Sequence, residues 1–357
     1  MTQLLDLPPA EAARALGEWL AARGEPRYRV GQLVPRLWRR PVRSWRDATD
    51  LPAALREALD AEWPLARLAL EAREDSRDGT TKYLWRLPDG EAVESVAIPE
   101  GSRLTLCISS QAGCALRCAF CATGAMGLAR DLEAWEIAGQ VRELLLEPEP
   151  LKPTNVVFMG MGEPLLNWPA VAVALTILND PDALGVGARH ITVSTVGIVP
   201  GLVELARRPE QFRLALSLHA AIPEVRSRIV PVEKRYGIEE VTAAIRSFKR
   251  RATFECVLIA GVNDRDEDLL ALAKLARRAG AMVNLLPLHP GGSAELRPSP
   301  PSRMRAFAAG LREKGVEAVL RRSRGLDIAA ACGQLRASRG SRGARGEVPP
   351  EPHGHVY

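Results

Sequence analysis

No run of apolar residues in this 357-residue chain approaches the ~20 that a membrane-spanning helix needs, so an integral membrane protein is not expected. The opening MTQLLDLPPAEAARALGEWL carries Asp6 and Glu11 and has no basic stretch ahead of an apolar core, the opposite of a signal peptide. The expectation is a cytoplasmic protein in a reducing compartment, where a disulfide framework is out of place. The six cysteines then point to metal binding or catalysis. What is present is ordinary for a soluble globular protein: 46% hydrophobic and 25% charged residues, with length enough for one large domain and a small one. The net charge of +5 is uneven. Residues 291–357 hold twelve Arg or Lys against six Asp or Glu. A basic surface suits nucleic acid, and solubility or a disordered tail would account for it equally well.

Residues 1–85 read as a small, mainly helical accessory module. EAARALGEWLAARG, VGQLVPRLWRR and LPAALREALDAEW repeat apolar residues at helical spacing between Gly and Pro breaks. TKYLWRLPDGEAVESVAIPEG then alternates around Asp89-Gly90, which predicts a hairpin. From about residue 104, apolar strands alternate with helices, and residues 86–335 form the main domain. The predicted strands are 104–108, 155–159, 190–194, 213–218, 253–259 and 282–288. The segment LEAWEIAGQVRELLL predicts an amphipathic helix with Leu132, Trp135, Ala138, Val141 and Leu145 on one face. Six strands with helical crossovers imply an α/β parallel sheet, as a partial (β/α)6 barrel or a flat doubly wound sheet. The strand ends carry the polar residues: Glu163 in GMGEP, Ser194, Ser217 with His219, and His289. In barrels such ends build the active site. Residues 336–357, rich in Arg, Gly and Pro without periodicity, read as a disordered basic tail.

CISSQAGCALRCAFCATG places Cys107 seven residues ahead of Cys114, Cys118 and Cys121, which are spaced C-x3-C-x2-C. A structural zinc site would need a fourth ligand, and its ligands usually come as two close pairs. The first His downstream is His190 and the next Cys is Cys256. Zinc with a remote fourth ligand stays open. An iron–sulfur cluster fits three thiolates better, since it leaves one iron free for a substrate or cofactor. The spacing, with Phe120 before the last cysteine, resembles the signature of the radical S-adenosylmethionine (SAM) enzymes. The resemblance implies a [4Fe–4S] cluster on Cys114, Cys118 and Cys121, whose open iron chelates SAM and whose electron cleaves it to an adenosyl radical. GMGEP looks like that superfamily's motif for holding the SAM amino group.

Further segments narrow the likeness: VESVAIPEGSRLTLCISSQAGCALRCAFCATG, MGMGEPLLN, HITVSTVGIVPG, LALSLHA, GVND and RGLDIAAACGQL. Together they resemble the RlmN/Cfr family of radical-SAM RNA methyltransferases, most closely its RlmN branch, over roughly residues 5–335. The resemblance implies methylation of adenine C2 in 23S rRNA, and in tRNA at position 37, through an S-methylcysteine intermediate. In that chemistry Cys332 carries the methyl group and the carbon radical adds to the adenine. Cys107 then attacks the Cys332 sulfur, releasing the base and leaving a transient Cys107–Cys332 disulfide. It further implies Glu94 as proton acceptor and SAM contacts from Gly162, Glu163, Ser194, Ser217, Leu218 and His219. By spacing alone, helix-capping serines and a core histidine would explain several of these. An electron donor such as flavodoxin and a monomeric state complete the expectation. Cys256 reads as a small core residue.

Three positions depart from the family pattern. His289 stands where the family commonly has an Asn that binds SAM, and Asp131 and Glu233 replace Asn residues; the sequence offers no physical account of these last two. Two other functions are compatible with the chain. One is a Cfr-like methylation at adenine C8. The other is a metal-stabilised RNA-binding ribosome-assembly factor, which would have no use for Cys107 or Cys332.

Overall fold

A computed structural model describes residues 3–335, so the tail expected over 336–357 lies outside the described residues. The strands are β1 (Ala69–Asp75), β2 (Thr81–Arg86), β3 (Ala92–Glu100), β4 (Arg103–Cys107), β5 (Gln111–Gly113), β6 (Leu128–Asp131), β7 (Asn155–Phe158), β8 (Ile191–Thr195), β9 (Arg213–Ser217), β10 (Thr253–Leu258), β11 (Met282–Pro287) and β12 (Ala318–Leu320). Ten of them form one sheet in the order β1-β2-β3-β4-β7-β8-β9-β10-β11-β12, while β5 and β6 pair separately. From β4 onward that sheet is parallel, and β1 to β4 are antiparallel.

The six predicted strands are β4 and β7 to β11, each within about a residue of its expected bounds. They form because runs such as ITVST and TFECVL combine β-branched and apolar residues that a sheet covered on both faces can bury. The hairpin around Asp89-Gly90 is β2–β3, with Gly90 at φ 90°. The short β12 and the exposed β1 have burial patterns too weak for sequence periodicity to reveal.

The boundary at residue 85 needs correction. The N-terminal helices end at Glu62, and β1 and β2 belong to the main sheet, so position 85 falls within a strand. The amphipathic helix also differs from expectation. Helix Ala134–Leu145 is present, but Glu136, Gln140, Arg142 and Glu143 are buried along with its apolar face. Its polar side meets protein instead of water: Gln140 bonds to Ser95 and Ser109, Glu136 pairs with Arg130, and Arg142 reaches the N-terminal helical module. The Arg142 guanidinium donates to the Leu37 and Val42 carbonyls at 2.7 and 2.6 Å, and Arg67 grips Glu143 with two nitrogens. Buried charges persist only when paired or hydrogen-bonded in this way. One continuous hydrophobic core accordingly runs from Leu4 to Leu335 and joins the N-terminal helices to the rest of the fold.

Candidate active site

The cysteine loop is closed at its base by the β5–β6 pair, and the Cys114 amide donates to the Gly127 carbonyl at 2.9 Å. Gly113, at φ 85°, lies so close that a Cβ would stand 2.0 Å from the Gly127 oxygen, so this closure requires glycine. Within the loop, burial pushes the Cys114 thiol up to about 12 and raises that of Cys118, where the neighbouring Cys121 and Cys114 sulfurs add to the effect. A set of neighbouring buried thiols is held protonated until a cation or cluster takes the place of the protons. Among the described residues, no three His, Cys, Asp or Glu side chains converge on a point that one metal ion would fill. The three thiols share the wall of a cavity of about 150 Å³. That donor set fits a multi-iron cluster better than a single zinc ion.

The C-terminal ends of the parallel strands build the rest of that cavity. After β7, GMGEP turns back against the segment following β4. A Cβ on Gly162, at φ 98°, would come within 2.5 Å of the Gln111 side chain. The Glu163 amide donates to Gln111 Oε1 at 2.7 Å, while its carboxylate accepts from the Leu165 and Val196 amides at 3.1 and 2.9 Å. Burial still pushes Glu163 up to about 7. Asp131 now has a physical account: it accepts from Gln111 Nε2 at 2.7 Å, orienting the amide that receives the Glu163 N–H.

Ser194 and Ser217, from β8 and β9, stand with their hydroxyls 3.2 Å apart on the cavity wall. His219 has a left-handed backbone at φ 60°, a conformation rare for a ring-bearing residue. Asn263, from GVND, secures it: its amide donates to the His219 and Val257 carbonyls, both at 2.7 Å. The Val257 N–H donates to His219 Nδ1 at 3.2 Å, so the neutral ring carries its proton on Nε2. Burial, reinforced by Arg226, depresses its pKa to about 3, and the ring lies 4.2 Å from that of Phe120. Leu218 does not border the cavity. Its side chain is in the core, and its carbonyl accepts from Arg226 Nε at 3.1 Å. Arg226 is fully buried; it also donates to the Val196 carbonyl and pairs with Glu233. Glu233 in turn accepts from the Ile238 amide at 3.0 Å, so the unexplained acidic residue neutralises the guanidinium that braces two strand ends.

Cys332 lies on the same cavity although it is 211 residues from Cys121 in sequence. Its carboxy-side neighbours hold it there. The Ala122 amide donates to the Gly333 carbonyl at 2.8 Å, and Thr123 Oγ1 to that of Leu335 at 2.6 Å. Cys107, at the end of β4, is buried; burial lifts its pKa first, and the nearby Cys332 lifts it further. All six cysteines are free thiols. Glu94 is buried on β3, on the sheet face that also presents Cys107, and pairs with Lys82 at 3.4 Å. Cys256 is a core residue, as read from the sequence.

His289 is the outlier. It does not border the cluster cavity; its Nε2 sits 2.6 Å from Ser323 Oγ, on a second cavity of about 440 Å³. That cavity is lined by Arg103, Arg321, Arg322 and Arg324, and Cys332 borders it as well. Sequence reasoning also missed Glu255. It is buried, borders the cluster cavity, accepts from Asn284 at 2.9 Å and leaves Oε2 without a hydrogen-bond partner. Its signal was visible: a lone carboxylate in FECVLI interrupts a strand that is otherwise buried and apolar.

The family model described as the Radical SAM superfamily matches residues 108–273. A protein described as a probable dual-specificity RNA methyltransferase RlmN, from Gemmatimonas aurantiaca, is 57% identical over 357 residues, covering 100% of this chain and 99% of its own length. The dual-specificity RNA methyltransferase RlmN of Syntrophotalea carbinolica is 44% identical over 90% of this chain and 87% of its own. The crystal structure of a radical SAM methyltransferase from Sphaerobacter thermophilus superimposes with a TM-score of 0.87 at 43% identity, covering 95% of this chain and 100% of that one.

Proposed function

This chain belongs to the RlmN-type dual-specificity RNA methyltransferases of the radical SAM superfamily, and we propose that it methylates C2 of adenine in 23S rRNA and in tRNA at position 37, with Cys332 as methyl carrier. It is an enzyme that uses a [4Fe–4S] cluster and SAM. Cys114, Cys118 and Cys121 would hold the cluster, and Gly162, Glu163, Ser194, Ser217 and His219 would border the SAM. When bound, these two supply a carbon-centred radical able to abstract hydrogen from an S-methyl group.

The observation that carries this reading is the position of Cys332. Cys332 borders both the cluster cavity and the Arg-rich cavity, so one residue lies between the methyl source and the entry for a polyanion. A ring carbon without nucleophilic character needs a covalent carrier of this kind. Arg103, Arg321, Arg322 and Arg324 meet the RNA phosphates, and the adenine is presented unstacked to Cys332. His219, neutral with its proton on Nε2, can donate a hydrogen bond without adding charge to the cluster cavity. Glu94 removes the ring proton from the Cys332-bound adenine. Cys107 then forms a bond to the Cys332 sulfur as the methylated base departs, and a reductant such as flavodoxin returns both thiols for the next turnover. The burial of Cys107 keeps it a protonated thiol at rest, which protects the carrier from premature oxidation.

The test is product analysis. Reconstituted enzyme is incubated with SAM, a reductant and either 23S rRNA fragments or tRNA, and the methylated carbon is assigned by NMR of the nucleoside. Methyl at C2 in both RNAs is the expected result; methyl at C8 would overturn the regiochemistry, and an unmodified tRNA would remove that substrate.

A further inference from the structure

Lys82 has no role in the chemistry just described, yet its position is unusual. It is only 9% exposed, although lysine is rarely buried without a purpose for its charge. Its ammonium has three donors, and three acceptors surround it: the Ile328 carbonyl at 2.7 Å, Glu94 Oε1 at 3.4 Å and Glu74 Oε1 at 3.5 Å. Sheet register explains the convergence. Lys82 pairs with Val96 across β2–β3, and Val96 pairs with Cys107 across β3–β4, so Lys82, Val96 and Cys107 form one row on one face. Glu94 lies two residues before Val96 and therefore on that face too.

The third acceptor brings in the carrier. Ile328 begins the segment that leads to Cys332, and the β1–β2 turn grips the same segment from outside. Asp78 accepts from the Gly325 amide at 3.0 Å, and Asp327 accepts from Ser76 Oγ at 2.5 Å and the Arg77 amide at 3.2 Å. The Asp327 ties are exposed, while the Asp78 and Lys82 ties are part-buried, and Lys82 itself is buried. At the other end, the segment is fixed to the cysteine loop through Ala122 and Thr123. The Cys332 segment is thus suspended between the cluster loop and the hairpin, and Lys82 is the point where the hairpin holds both the segment and Glu94.

We propose that Lys82 is a positioning residue, which sets the Glu94 carboxylate against the adenine carried on Cys332 by gripping Glu94 and the Cys332 segment with one ammonium. The inference rests on the reading of Glu94 as proton acceptor and of Cys332 as carrier. Removing the ammonium takes one cationic partner from the buried Glu94 carboxylate and releases the Ile328 carbonyl. The earlier steps, cluster binding and methyl loading of Cys332, do not pass through Lys82.

The experiment compares reconstituted wild type, Lys82→Met, Lys82→Gln, Lys82→Arg and Glu94→Gln, each with SAM, reductant and an RNA substrate. Three readouts are taken: S-methylation of Cys332 by peptide mass spectrometry, covalent protein–RNA adduct on denaturing gels, and methylated adenine. Loading of Cys332 shows that a variant is folded and holds its cluster. For Lys82→Met and Lys82→Gln, loading within about twofold of wild type, product reduced about 100-fold and accumulated adduct are expected, as for loss of a general base. Glu94→Gln should accumulate adduct likewise, and Lys82→Arg should recover part of the product. Lys82→Gln keeps a donor for the Ile328 carbonyl without the charge, so wild-type turnover by it would overturn the proposal. So would a loss of product in all three Lys82 variants without adduct, while Glu94→Gln accumulates it: that pattern makes Lys82 purely structural. Absence of adduct in Glu94→Gln itself would instead remove the Glu94 reading, and the proposal with it.

Discussion

Two cavities meet at Cys332, and they are built on opposite principles. The cluster cavity is assembled from strand ends and closed loops. Its titratable groups are buried and pushed toward their neutral forms: thiols up, Glu163 up to about 7, His219 down to about 3. The second cavity is nearly three times as large and is lined by four arginines, of which Arg103, Arg321 and Arg322 are exposed. The first environment keeps water and stray charge away from reactive species. The second attracts a polyanion and is open to salt. On the proposed reading, the thiol between them is loaded from one side and unloaded to the other, which neither cavity alone allows.

The division can be broken one side at a time. Replacing Cys114, Cys118 or Cys121 with Ala should abolish the iron–sulfur absorption and methyl transfer together, while RNA affinity measured by filter binding stays within about twofold. Next in size is Glu233→Ala, which strips the counter-charge from fully buried Arg226 and should destabilise the fold by about 3–5 kcal/mol in a denaturant titration. Glu233→Gln, which keeps an acceptor for the guanidinium, should cost less. On the other side, Arg321→Ala with Arg322→Ala should weaken RNA binding and reduce the slope of log affinity against log salt by about 1–2, leaving iron content unchanged. The smallest effect is expected from Asp131→Ala. Loss of its bond to Gln111 should cost about 1 kcal/mol, read as a small drop in the unfolding midpoint.

The two cavities also differ in how far the sequence revealed them. The cluster side was readable because its parts are local signals: C-x3-C-x2-C, GMGEP after a strand, polar residues at strand ends. The six parallel strands were readable for the same reason, since each is an apolar run of strand length. The second cavity draws Arg103 from β4, His289 from the loop after β11, and Arg321 to Arg324 from the segment after β12, and no periodicity links those positions. His289, which the resemblance led one to expect beside SAM, is bonded to Ser323 on the second cavity. Asp131 and Glu233 looked arbitrary because their partners, Gln111 and Arg226, lie 20 and 7 residues away along the chain, each across a turn of structure. The buried polar face of helix Ala134–Leu145 was unreadable in another way: an amphipathic pattern reports two unlike faces, and says nothing about whether water or a second module covers the polar one.

Peptide mass spectrometry of the reconstituted, RNA-free enzyme after exposure to SAM tests the central claim most directly. A single added methyl group on the peptide containing Cys332, with none on the peptide containing Cys107, is the predicted result. Methyl transfer to RNA at the full rate by Cys332→Ala, or a methyl group lodged on another residue, would contradict it.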